Sequence, residues 1–165
     1  MQNTLGNLYW KELESEAVAT RKCLERVPAE KFKWKPHERS MEMGYLAIVI
    51  MEVPRWISTA IEEGEVNFGT FKHVTPKDAA GLVAEFDSNM QKAKAALQSV
   101  SDEALQEMFY LKAGEKTLMS DTKQGTISSS INHLVHPRGQ LTVYLRLNDI
   151  PVPSIYGPSA DDKTF

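Results

Sequence analysis

The sequence predicts an all-α protein that folds as a four-helix bundle in a single domain, residues 1–165. Three observations favour this class. Four segments, each on the order of twenty residues long, repeat apolar residues at intervals of three and four, the period of an amphipathic helix. Proline, glycine and polar residues separate these segments. A chain of 165 residues, 42% of them hydrophobic, can bury one core, and four helices of compatible length pack around it as a bundle.

Prolines and polar caps bound the first two helices. Helix one is expected from about Leu5 to Val27, where Pro28 ends it. Ser40 is expected to cap helix two, and Pro54 inside this helix should bend it without ending it. The predicted core faces are Leu5, Tyr9, Leu13, Ala17, Thr20, Leu24 and Val27 on helix one, and Leu46, Val49, Ile50, Val53, Ile57 and Ile61 on helix two.

The second half of the chain holds two more helices and the least regular segment. Residues 64–74 are expected to form a loop, after which Thr75 to Asp78 cap helix three. Gln106 to Ser120 shows no clear period, and we expect an extended stretch followed by a turn at Ala113–Gly114. Helix four is expected from about Thr126 to Leu147, and the long connections allow crossovers. The core faces are Ala79, Leu82, Phe86, Met90, Ala93, Leu97 and Val100, and then Ile127, Ile131, Leu134, Arg138, Leu141 and Leu145.

Composition and charge argue against several function classes. The 19 basic and 22 acidic side chains give a net charge of −3 without a dense cationic run, so no nucleic-acid partner is expected. No apolar stretch approaches the roughly 20 residues of a bilayer span, so no membrane partner is expected. Cys23 is the single cysteine, which excludes an internal disulfide and fits a reducing compartment. The sequence therefore predicts a cytoplasmic protein.

A row of side chains with functional potential runs beside the core face of helix four. His133, Pro137, Gln140 and Tyr144 follow one another at helical spacing, and bundles build interior sites where such a row meets the core. His133 and position 137 are four apart, the spacing at which two imidazoles can bind one metal ion. Pro137 has no donor atom, so this pair is incomplete. Arg138 and Gln140 are expected to orient helices through hydrogen bonds.

Four stretches of the chain carry a family resemblance. Asn132 to Leu147 resembles a His-x-x-x-His-Arg-Gly-Gln-Leu helix, and Leu46 to Trp56 resembles a Leu-Ala-x-His-Ile-x-Glu-Leu-Pro-x-Trp helix. Trp34 to Ser40 is similar to the linker that precedes that second helix, and the tail from Pro151 to Asp161 is similar too. Together these stretches resemble the DinB-like proteins, the group that includes YfiT, bacillithiol transferases and mycothiol-dependent isomerases. The resemblance extends over essentially the whole chain.

The resemblance implies a four-helix bundle, often dimeric, with zinc or nickel held by three histidines. One histidine comes from helix two and two come from helix four. Carried over residue by residue, these positions are Val49, His133 and Pro137, so one of the three histidines remains. A metal that keeps a position open for water or substrate needs about three protein donors. The metal site is therefore expected to be degenerate, with no cofactor bound.

The first hypothesis is a metal-free small-molecule-binding or interaction protein. The family resemblance implies that it is a homodimer. Its predicted pocket lies between helices two and four and is lined by Val49, Glu52, Trp56, His133 and Tyr144. Val49 would fill the volume that a ligand histidine takes in the family, and its full burial would contribute about 2 kcal/mol.

The alternative hypothesis is a metal-dependent thiol S-transferase or hydrolase with a rebuilt zinc or nickel site. His136 lies three positions after His133, and a bend at Pro137 would turn its side chain inwards. His37 or Glu52 would then complete the set of donors. A bound metal would lower the pKa of a water or thiol ligand and create the nucleophile. A metal-free reaction with His133 as general base is a third hypothesis, for which the sequence offers no partner residue.

Overall fold

The computed structural model describes residues 4–164. Within that range four long helices make up most of the fold, as the apolar periods predict. The helices are α1 (Leu5–Leu24), α2 (Met43–Glu62), α3 (Ala79–Ser99) and α4 (Lys123–Leu147). Single turns of 3-10 helix at Ala29–Lys31 and Ala104–Gln106 lie in the connections. The helical part of the predicted fold is therefore confirmed.

Two helices begin at caps other than the predicted ones. α2 begins after Glu42, whose side chain makes no capping hydrogen bond, while Ser40 closes a turn within the linker. α3 begins after Asp78, whose carboxylate accepts a hydrogen bond of 2.8 Å from the N–H of Gly81. The predicted cap at Thr75 was wrong because the acid placed in the first turn is itself the cap.

Neither interior proline ends its helix. Pro54 lies inside α2 and Pro137 lies inside α4, and both helices continue through them. Each ring lacks the N–H that would bond to the carbonyl four residues earlier, which belongs to Ile50 and His133 respectively. Both prolines are buried, and their tertiary packing offsets the missing backbone hydrogen bonds.

The helices are connected with a crossover. α2 packs against α3 and α4, α1 packs against the same two helices, and α1 and α2 hardly touch each other. The first two helices therefore stand diagonally opposite in the bundle, and the linker between them spans it. One buried core joins all four helices, for example through Leu13, Leu46, Phe86 and Leu134.

A small sheet is present, so the prediction of an all-α fold was wrong in this respect. Its strands are β1 (Glu65–Asn67), β2 (Met108–Ala113) and β3 (Lys116–Thr122), paired in that order. β1 is parallel to β2, and β2 is antiparallel to β3 with an irregular register at Leu111–Lys112. Gly114 forms the turn between β2 and β3 with a φ of 61°, a conformation that glycine adopts without steric cost.

The sheet lies where α2 ends and α4 begins. β1 follows α2 after Gly64, and β3 leads into α4, whose cap is Thr122. Ala60 of α2, Val66 of β1 and Phe109 of β2 form a second buried apolar cluster beneath the sheet. One sheet face is thereby held over the groove between α2 and α4.

α2 is long and apolar enough to depart from the expectation that no stretch of the chain approaches a bilayer span. By length and composition Met43–Glu62 could cross a bilayer, and it is the one such helix among residues 4–164. Within the fold, 72% of its most apolar window is buried. A core helix with neighbours on several sides has this composition because most of its surface is covered by protein.

Candidate functional site

A pocket of about 350 Å³ opens between α2, α4 and the sheet. Trp56 of α2 and His133 of α4 form its helical sides, and Phe109 of β2 stands on the sheet side. The volume suits a small organic molecule, because ligand pockets commonly measure ~300–1,000 Å³. The residues that line it are Trp56, Val66, Phe68, Phe109, Leu111, Met119, Thr126, Ser129, Ser130 and His133.

His133 lies at the rim of this pocket, against the indole of Trp56. The two ring centroids are 5.3 Å apart and the ring planes are inclined by 40°. Partial burial lowers the pKa of His133 below its usual range, and the charge of nearby His136 lowers it further. This shift favours the neutral imidazole, which offers one hydrogen-bond donor and one acceptor.

Three side chains of α4 form a polar row along the pocket. Thr126, Ser130 and His133 are spaced at i, i+4 and i+7, so they share one helix face. Thr126 is 6% exposed and Ser130 is 7% exposed. Within residues 4–164, neither hydroxyl and neither ring nitrogen of His133 has a hydrogen-bond partner. Because a buried hydroxyl without a partner costs about 1–3 kcal/mol, this row has hydrogen-bonding capacity that the protein does not use.

The opposite wall of the pocket is apolar and comes mostly from the sheet. Val66 and Phe109 are buried, while Phe68 and Met119 are exposed at the mouth. Leu111 follows Phe109 at a spacing of two, on the same face of β2. These residues were not among the predicted site residues. The alternation along β2 could have indicated part of the wall, whereas β1 is too short to show any period.

The structure places Glu52 outside the pocket wall. Its side chain is 1% exposed, and its carboxylate is hydrogen-bonded to Nδ1 of His73 at 2.7 Å and to the N–H of Val74 at 3.2 Å. His73 in turn packs edge-on against Phe71, with the ring centroids 5.2 Å apart. The buried carboxylate therefore anchors the segment between β1 and α3 onto α2, and its two partners compensate for its loss of water.

Val49 and Tyr144 also lie apart from the pocket wall. Val49 is half-buried on α2. The ring of Tyr144 packs edge-to-face on Trp34 with centroids 5.5 Å apart, and its hydroxyl donates a hydrogen bond of 3.2 Å to the carbonyl of Met41. Tyr144 thus holds the linker that precedes α2 against α4. Of the five residues predicted for the pocket, the structure brings Trp56 and His133 together.

The side chains around His133 do not fit the metal that the family resemblance implies. Val49 and Pro137, at the two other ligand positions, have no donor atoms. His136 is exposed on α4, and His37 lies in the linker, where its Nδ1 accepts a hydrogen bond of 3.1 Å from a backbone N–H. In the part of the chain that the structure describes, no group of three or more His, Cys, Asp or Glu side chains is placed to hold a metal ion.

Comparison with known proteins identifies the fold. The model of the DinB family matches residues 1–164. A DinB-like protein of Bacillus subtilis, YjoA, has a TM-score of 0.70 at 21% identity, and the match covers 94% of this chain and 99% of that chain. A DinB-like protein of Bacillus cereus has a TM-score of 0.72 at 20% identity, with 94% and 100% covered. No curated protein matches the chain.

Proposed function

The chain belongs to the DinB family, and from this premise we propose that it is a metal-free member that binds a small molecule in the pocket beside His133. The observation that carries the proposal is an apolar pocket next to the one retained histidine, with no other metal donor among its lining residues. A cytoplasmic homodimer is the form that we propose for it, on the strength of the family resemblance and the single cysteine.

The donor chemistry supports the metal-free part of the proposal. An open metal site needs about three protein donors, and Val49 and Pro137 are hydrocarbon at the two positions that would join His133. The depressed pKa of His133 has burial as its main cause, with no acidic partner near the ring. Such a histidine is suited to hydrogen bonding with a neutral ligand.

The shape of the pocket supports the binding part. Small-molecule sites are concave and mostly apolar, with a few polar groups that orient the ligand. Here the sheet and Trp56 supply the apolar wall, and the row of Thr126, Ser130 and His133 supplies the polar groups. The thiol-transferase or hydrolase alternative would need donors at His133, His136 and His37, and the described residues do not bring these three together.

Elemental analysis of tag-free protein tests the metal-free part. We expect zinc, nickel and manganese to be far below one equivalent in the parent protein. The double variant Val49→His with Pro137→His restores the ligand types that the family uses at those positions, so it should gain metal binding. Adding His133→Ala to the double variant should remove the gain. Stoichiometric metal in the parent protein would refute the metal-free proposal and favour the enzymatic alternative.

A titration with naphthalene tests the binding part. We expect the NMR signals of the Trp56 indole and of Met119 to shift in a saturable way, because both residues line the pocket. Trp10, which is buried in the main core, is the internal control and should not move. Shifts that leave Trp56 unchanged, or that affect Trp10 equally, would contradict binding in this pocket.

A further inference from the structure

The pocket combines one polar edge with apolar walls, and this combination restricts what can bind. Ser130 is the polar group that a ligand can reach: it is 7% exposed, lines the pocket and has no hydrogen-bond partner within residues 4–164, whereas the equally unpaired hydroxyl of Thr126 is fully buried. Its neighbour Ser129 differs, since that hydroxyl already donates a hydrogen bond of 3.0 Å to the carbonyl of Thr126. A ligand atom that bonds to Ser130 therefore supplies the hydrogen-bond partner that no protein group provides for this hydroxyl.

The charge of the lining restricts the ligand further. None of the described residues that line the pocket is Asp, Glu, Lys or Arg. A charged ligand group would lose water there without meeting an opposite charge, which is strongly unfavourable. The site therefore selects against carboxylates, phosphates and ammonium groups.

The walls favour an aromatic body. Trp56, Phe68 and Phe109 all contribute rings to the lining, and aromatic pairs gain from edge-to-face and offset contacts beyond simple burial. From Thr126 to His133 the polar row rises about 10 Å along the helix, at ~1.5 Å per residue. That length matches a molecule of two fused rings lying along the row.

We propose that the ligand is a neutral aromatic molecule with a hydroxyl or carbonyl group on one edge, and that Ser130 binds this group. The inference rests on the proposed function, since it names the ligand class of the same pocket. His133 lies at the end of the row and is placed to bond with a second polar group of the ligand. The apolar remainder of the molecule packs against Trp56 and the sheet.

Calorimetric titration with three probes of similar size tests this inference. Naphthalene is apolar, 2-naphthol adds one neutral hydroxyl, and 2-naphthoate carries a negative charge. We expect 2-naphthol to bind about three- to tenfold more tightly than naphthalene, as one neutral hydrogen bond warrants. We expect 2-naphthoate to bind more weakly than either. Ser130→Ala should remove the preference for 2-naphthol over naphthalene. The matched control is Ser128→Ala, an exposed serine on the same helix, which should change nothing.

The possible results distinguish a failure of this inference from a failure of the proposed function. If naphthalene binds as tightly as 2-naphthol, or if Ser130→Ala keeps the preference, the inference is wrong while binding in the pocket stands. If 2-naphthoate binds most tightly, the neutral ligand class is wrong. If none of the three probes binds, both the proposed function and the inference fail.

Discussion

The imidazole of His133 lies against the indole of Trp56, with ring centroids 5.3 Å apart and the ring planes inclined by 40°. The family resemblance implies metal ligands at positions 49, 133 and 137, and this chain has Val49, His133 and Pro137 there. Contact with a ring removes water from the imidazole, which disfavours its charged form. The surroundings of His133 therefore favour its neutral form.

The first prediction concerns the pKa of His133 itself. Burial lowers this pKa and the charge of His136 lowers it further. Removal of Trp56, whose ring covers one side of the imidazole, or of the His136 charge should therefore raise it. Trp56→Ala should have the larger effect, because desolvation is the larger cause. His136→Gln should have a smaller effect in the same direction. Titration of the His133 ring protons by NMR measures both changes, and a wild-type pKa at or above 6.5, the ordinary value, would contradict the assignment.

The same shift predicts how stability depends on pH. The pKa of His133 is lower in the folded state than its ordinary value of 6.5. As the pH falls through 6.5, the unfolded chain therefore binds more protons at this residue than the folded chain does. The contribution of this residue is thus fully present above the ordinary pKa and is lost towards acid. Urea unfolding at about pH 7.5 and about pH 5.5 measures this effect. Between these two pH values the free energy of unfolding should fall less in His133→Gln than in wild type. An identical loss in both proteins would refute this.

The helices could be predicted from the sequence because their signal is local. The apolar period of a helix is visible within a single segment, and α1 to α4 follow it. The sheet could not be predicted, because β1 is three residues long and Val66 pairs with Leu111, far along the chain. Pairing between distant strands leaves no local trace, so the segment around β2 and β3 showed only its extended character and its turn at Gly114.

The site was predictable to the same limited extent. Trp56 and His133 lie on the long helices, and the resemblance pointed to both. Glu52 was placed in the pocket because it stands one turn from Val49, yet its side chain is held by His73 and Val74 from a distant segment. Partners that come from irregular segments cannot be deduced from helical spacing.

A separate prediction concerns Arg138, which was expected to orient helices. Its guanidinium is 1% exposed, forms an ion pair of 2.6 Å with Glu16 and donates to the hydroxyl of Thr20 at 3.1 Å and to that of Tyr156 at 2.7 Å. These bonds join α4 to α1 and to the C-terminal segment. Arg138→Ala removes the cation that pairs with the Glu16 carboxylate, which keeps a hydrogen bond from the hydroxyl of Tyr156. We therefore expect the free energy of unfolding to fall by about 3 kcal/mol, the lower end for a broken buried ion pair.

Arg146, on the same helix, forms a more exposed ion pair and provides the control for that variant. Arg146 bonds to Asp161 at 2.5 Å, but its side chain is 48% exposed. Surface ion pairs contribute little because water and salt screen them, so Arg146→Ala should change stability far less. Chemical denaturation of both variants gives the comparison. Equal losses would mean that burial does not set the strength of the Arg138 contacts.

Another prediction concerns the reactivity of the Cys23 thiol. Its side chain is 0% exposed, and burial raises its pKa to about 11. At pH 8 only about one thiol in a thousand would then be ionised, and the thiolate is the reactive form. We expect a disulfide reagent to modify native protein only as fast as it unfolds. A Cys23→Ser, Ser128→Cys variant, whose thiol would be exposed, should react at once, and equal rates would refute the prediction.

The last prediction compares the effect on stability of replacing two different glycines by alanine. Gly6 of α1 approaches α3 so closely that a methyl group there would collide with the backbone carbonyl of Leu97, which cannot rotate away. Gly6→Ala should therefore destabilise the fold by about 1–3 kcal/mol, as overpacking does. Gly139 lies within α4, and a methyl group there meets nothing within 4 Å. Since alanine is the better helix former, Gly139→Ala should stabilise the protein by about 0.5–1 kcal/mol. Urea denaturation measures both. A Gly6→Ala variant as stable as wild type would show that the contact between α1 and α3 is looser than the structure has it, and a loss of stability in Gly139→Ala would contradict the second expectation.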